Sequence, residues 1–87
     1  MPYIKKENRI NLDESLDLIK NINTKGELEY CIFKLMLRYS SNKPVNYSNL
    51  HDTTYAAMHC ADEFRRRFLD ERENVAMNTN GDILIKE

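Results

Sequence analysis

Three consecutive arginines, Arg65, Arg66 and Arg67, stand inside the stretch EFRRRFLDERE at 63–73. Guanidinium groups carry planar forks of donors that match phosphate or carboxylate oxygens, so the run is a candidate anion site. Helical spacing divides it. Arg66 has Asp62 four residues behind and Asp70 four ahead, and Arg67 has Glu63 and Glu71 at the same distances. These two read as weak surface ion pairs. Arg65 has only Asp62 at helical spacing, and Arg72 has no acid three or four residues away. Arg65 and Arg72 share a face with Met58, Asp62, Leu69 and Ala76. Three readings of that face stay open: arginine stems covering an apolar edge, a pair with another helix or subunit, or a phosphate contact.

A second set of candidates lies nearer the ends. Tyr3 and Tyr47 offer flat rings that stack on a base, and Lys5, Lys6 and Arg9 could hold a phosphate beside them. Asn80 and Asp82, flanking Gly81, complete the candidate ligand-binding set. The plainer reading packs both tyrosines onto the helices. Other chemistry is sparse. His59 and Cys60 are neighbours and point in different directions on a helix, so with His51 they make no chelating set, and no metal is expected. Cys31 and Cys60 sit on apolar faces and read as small core fillers. No glycine-rich phosphate loop, nucleophile elbow or zinc-protease motif occurs. An enzyme is therefore not expected, and no cofactor is implied.

The elements that must position these residues are helical. Only two glycines and two prolines punctuate 87 residues. NLDESLDLIKNI (11–22) predicts a first helix, with Asn11 as N-cap, Asp13 and Glu14 in its first turn, and a stripe of Leu12, Leu16 and Ile19. TKGELEYCIFKLMLRYSS (24–41) predicts a second, opened by the capping box Thr24-x-x-Glu27. That helix is apolar almost all round, with Glu27, Lys34 and Arg38 forming a narrow polar stripe, and such a surplus of apolar surface predicts a subunit interface. Pro44 marks a loop over 41–49. A third helix is predicted from near Ser48 to about Met77, closed by Gly81 in the left-handed conformation. The segments 2–6 and 82–87 have strand-like composition and could pair with each other or with the ends of another subunit, or remain frayed tails.

Bulk properties bound the rest. The length predicts one domain, 1–87, with a thin core. Two cysteines make no disulfide framework, which leaves oligomerisation as the remedy. A net charge of −1 with 31% charged residues argues against general nucleic-acid binding. The N-terminus lacks a secretory h-region and no apolar run is long enough to span a membrane. A cytoplasmic protein with reduced thiols is expected.

MPYIKKENR at the start, GELEY at 26–30, NYSNL at 46–50, EFRRRF at 63–68 and NGDI at 80–83 resemble a family of short proteins of unknown function, found mostly in bacteriophages and prophages. The resemblance covers nearly the whole chain. It matches the family pattern at Glu63, Phe64, Arg66, Arg67 and Glu73. It departs at Arg65 and Arg72, where the family often has tyrosine, and at Glu71, where it often has proline. It thereby implies a phage-type setting in the host cytoplasm and shifts weight to Arg66 and Arg67.

The expectation is an all-α, three-helix domain with a long third helix and short extended ends, assembled as a homo-oligomer. Its expected function is non-enzymatic binding. One form is a counter-defence sponge that sequesters a phosphate-bearing nucleotide signal at a subunit boundary. The alternative is a protein-interaction module that inhibits a host factor through the second helix. A DNA-binding regulator ranks third.

Overall fold

The structure, a computed structural model, describes residues 2–84. A short 3₁₀ turn, Lys6–Asn8, leads into α1 (Ile10–Leu16). Then come α2 (Lys25–Ser41), α3 (Tyr47–Phe64) and α4 (Asp70–Asn80). The segment between α3 and α4, Arg65–Leu69, is a π-helical turn. It joins the two without a break, so the predicted third helix is one rod from 47 to 80. At about 1.5 Å per residue such a rod is about 50 Å long, and it sets the 56 Å long dimension of the molecule.

The capping box forms as the sequence predicts. The Glu27 backbone N–H donates to Thr24 Oγ1 at 3.1 Å, and the Thr24 N–H donates to Glu27 Oε1 at 2.9 Å. The Asn23 N–H reaches the same oxygen at 3.1 Å. These donors, Asn23's first, hold the Glu27 carboxyl below its ordinary pKa. A depressed carboxylate stabilises the fold above its unfolded pKa, and that contribution is lost as pH falls through the folded value. Replacing Thr24 by Ala removes the cap and is expected to cost about 1 kcal/mol, read as a lower denaturation midpoint with an unchanged slope.

The first helix is shorter than predicted. It stops at Leu16, and Leu18 and Ile19 make tighter bonds back to Ser15 and Leu16. Residues 17–24 are irregular, because Asn21, Asn23 and the β-branched Ile19 and Ile22 are poor helix formers and a short helix has little cooperativity to carry them. Its N-cap is Arg9, with no side-chain cap, rather than Asn11. The third helix starts at Tyr47, where Asn46 Oδ1 accepts the Asn49 N–H at 2.9 Å. It ends at Asn80, three residues past the predicted stop. Gly81 has the expected positive φ, 94°, but its ψ of 145° is extended rather than left-handed helical.

Helices α2 and α3 form an antiparallel hairpin across the 42–46 connection. The positions that lose solvent exposure lie at helical spacing on each: Met36, Ser40 and Lys43 on and just after α2, and Asn49, Thr53 and Ala57 on α3. This is the hairpin's seam. Thr53 is the one buried residue among those described, and no apolar side chain is buried. Cys31 is half-buried and Cys60 exposed, so neither is the enclosed core filler that the sequence predicts. The reason is general: a two-helix seam covers one stripe of each helix, and nothing in the single chain covers the rest. Tyr30 and Phe33 on α2 stay 64% and 61% exposed.

Among the described residues there is no strand, and the terminal segments do not meet. Pro2 and Tyr3 lie against the end of α3, whereas residues 81–84 leave the far end of α4, some 25 Å further along the rod. Residues 85–87 of the predicted C-terminal strand lie outside the described residues. No helix among the described residues is long and apolar enough to cross a membrane.

Candidate functional site at the π-turn

The arginine run coincides with the π-turn: Arg65, Arg66 and Arg67 are its first three residues. A π-turn closes hydrogen bonds to the fifth residue along rather than the fourth, so it shifts every later side chain relative to the preceding helix. One ion pair spans the shifted register, and the others keep ordinary helical spacing. Arg65, predicted to have one acid, lies 3.6 Å from Asp62 and 3.9 Å from Asp70, the latter five residues ahead. Arg66 leaves its predicted partners Asp62 and Asp70 and instead grips Glu63, with Nε 3.3 Å from Oε2 and Nη2 on Oε1. Arg67, predicted to pair with Glu63 and Glu71, has no carboxylate partner among the described residues. It donates from Nη1 to the Tyr3 hydroxyl at 2.7 Å.

Glu63 is the hub, and its side chain is only 18% exposed. The Tyr3 hydroxyl donates to Glu63 Oε1 at 3.0 Å while accepting from Arg67. The hydrogen bond from Arg66 lowers the Glu63 pKa most; partial burial opposes it, and Tyr3 and the arginine charges reinforce it. The same contact raises the pKa of Arg66. Spacing alone offers Arg66 at i+3 to Glu63, but Tyr3 lies 60 residues away in sequence and no local pattern predicts it.

This network ties the N-terminal segment to the rod. Beside it is an open groove of about 250 Å³, lined by Pro2, Tyr3, Cys60, Phe64, Arg67 and Phe68 along with Glu63. Phe64 and Phe68 rings pack with centroids 4.9 Å apart, tilted by 45°. Arg67 also sits over the Tyr3 ring, 5.9 Å from its centroid. The groove thus combines an apolar floor, a cation without a carboxylate, and an amphiprotic hydroxyl. Its chemistry is that of holding an anion or a flat ring.

The remaining predicted site residues are dispersed. Lys5 and Lys6 open the 3₁₀ turn with no side-chain cap. Arg9 Nε is occupied by the Ile4 carbonyl at 2.9 Å. Asn80 ends α4, and Asp82 Oδ1 accepts the Leu84 N–H at 3.0 Å in a local turn. Tyr47 begins α3, about 24 Å along the rod from Glu63. There it heads an exposed ladder with His51, Tyr55 and His59, whose successive ring centroids are 5.7, 4.2 and 6.1 Å apart. A single chain brings Tyr3, Arg66 and Arg67 together and leaves Tyr47, Asn80 and Asp82 apart from them. Among the described residues no three His, Cys, Asp or Glu side chains converge on a metal-sized site.

Comparison with curated proteins and with solved structures finds no match. A family model, Domain of unknown function (DUF6899), matches residues 1–83, and the chain belongs to that family.

Proposed function

We propose that the protein is a non-enzymatic binding protein that captures a phosphate-bearing nucleotide at a boundary between copies of the chain. Arg67 is the observation that carries the reading. Of the three arginines it alone lacks a carboxylate among the described residues, and Tyr3 holds it at the edge of an aromatic groove. Its remaining N–H donors suit a phosphate oxygen, and the rings of Tyr3, Phe64 and Phe68 suit a base. Arg65 and Arg66 serve the fold through their acids. A boundary between copies is favoured because Tyr47, Asn80 and Asp82 lie too far along the rod to reach the groove of their own chain. The phage-type setting, and with it a counter-defence role for such capture, rests on the resemblance of MPYIKKENR and NGDI.

The test is thermal stability against a panel of nucleotides, cyclic species included. At least one member at about 100 times its Kd should stabilise the protein by about 2.7 kcal/mol. Arg67→Ala should abolish that gain while Arg72→Ala keeps it. A panel in which no member raises the midpoint would sink the proposal.

A second reading, a protein-interaction module acting on a host factor, draws on the exposed apolar surface of α2. It requires a monomer or dimer that leaves that surface open in solution.

A further inference from the structure

We infer that the face of α2 turned away from α3 is covered by a second copy of this chain, packed antiparallel, α2 on α2. Met36 and Ser40 point α2's inner stripe at α3. Half a turn round the helix, an open groove of about 460 Å³ is lined by Ile19, Tyr30, Cys31, Leu35 and Leu37, with Lys34 and Arg38 among them.

The area identifies the kind of partner. The chain exposes 8428 Å², whereas a compact monomer of this mass exposes about 5,400 Å². Its radius of gyration is 17.6 Å, against about 12 Å for a compact domain of this length. The excess, roughly 3,000 Å² per chain, leaves ample surface for the ~800 Å² that each partner gives to a standard interface. A chain that depends so heavily on its partner needs one present at its own concentration, and its own copies always are.

Charge sets the direction. Glu27, Lys34 and Arg38 fall on one stripe of α2, the acid toward its start and the two cations toward its end. Among the described residues neither Lys34 nor Arg38 has a carboxylate partner; Lys34 lies only over the Tyr30 ring, 5.7 Å from its centroid. Glu27 Oε1 serves the capping box, which leaves Oε2 free. An antiparallel pair sets each Glu27 against the partner copy's cationic end, while a parallel pair sets like charges together. The two-fold axis then passes near Cys31, and closed two-fold pairing is the commonest symmetry. This inference shares with the proposed function only the claim that copies associate, and nucleotide capture is not needed for it.

The test therefore uses the full chain with no nucleotide present. The native mass should be a multiple of 10.3 kDa. Leu35→Glu combined with Leu37→Glu, both at exposed positions, should reduce it to a single chain. In a Cys60→Ser background a short bismaleimide should link two chains through Cys31, and adding Cys31→Ser should abolish the linked species. A folded wild-type monomer at high concentration would overturn the inference, including one that takes up a different protein instead. Association that survives the double glutamate variant overturns the face. Association without Cys31 linkage overturns the antiparallel register. If the glutamate variant fails to fold, linkage in the Cys60→Ser chain decides alone.

Discussion

Tenfold dilution should lower the thermal midpoint of this protein by about 3–5 °C, a dependence that a self-contained domain does not show. The expectation follows from the absence of a buried apolar core among the described residues. A tenfold change in concentration alters a dimer's association free energy by about 1.4 kcal/mol, or about 0.7 kcal/mol for each chain. In a domain of this size that free energy corresponds to a few degrees. The single chain has one seam, between α2 and α3, and the large apolar side chains outside it remain open: Phe64 is 66% exposed and Tyr30 64%. Burying them must happen between chains if it happens at all, and helices without tertiary cover have little stability of their own. Far-UV circular dichroism melts over two decades of concentration measure the effect. A midpoint that does not move would mean that the hairpin seam alone sustains the fold.

Replacing Thr53 by Leu should destabilise the protein by about 1–3 kcal/mol, the usual consequence of forcing added volume into a close approach. Thr53 is 8% exposed and is the one buried residue among those described. Its hydroxyl donates to the Asn49 carbonyl at 2.8 Å within its own helix, so it needs no partner across the seam. With Ala57 one turn on, it keeps α3 narrow where α2 lies against it. A leucine there has to push the helices apart or take a strained rotamer. Thr53→Ala keeps the seam narrow and should stay close to the parent. Denaturant titration of both variants provides the comparison. A Thr53→Leu protein with the parent's midpoint would show that the helices do not meet at that turn.

Local chemistry made much of this legible. The Thr24–Glu27 box is legible because both partners fall within one turn, where spacing is geometry. The long third helix is legible because no proline or glycine interrupts 47–80. The surplus apolar surface of α2 is legible from composition, since a helix with so narrow a polar stripe cannot be covered by a single neighbour. The arginine pairing was not legible in full. A π-turn changes the register by one residue, and the sequence around it is solvated and tolerant of either winding. Spacing finds Asp62 for Arg65 but misses Asp70 five residues ahead, and spacing at four assigns Arg66 and Arg67 to acids they do not meet. The early stop of α1 was missed for a related reason: a stripe of Leu12, Leu16 and Ile19 satisfies helical periodicity whether or not the last turn forms.

What the sequence by itself determined is the set of helices, the capping box that starts α2, and an apolar load too large for a single chain to enclose. All of these rest on interactions within a few residues or on composition, and neither depends on how the chain is arranged in space. Only the tertiary structure decided which arginine is left without an acid. That choice follows from the π-turn, and from Tyr3 arriving across 60 residues to bond Glu63 and across 64 to accept from Arg67. Contacts so distant in sequence depend on how the segments pack, which one-dimensional spacing does not encode.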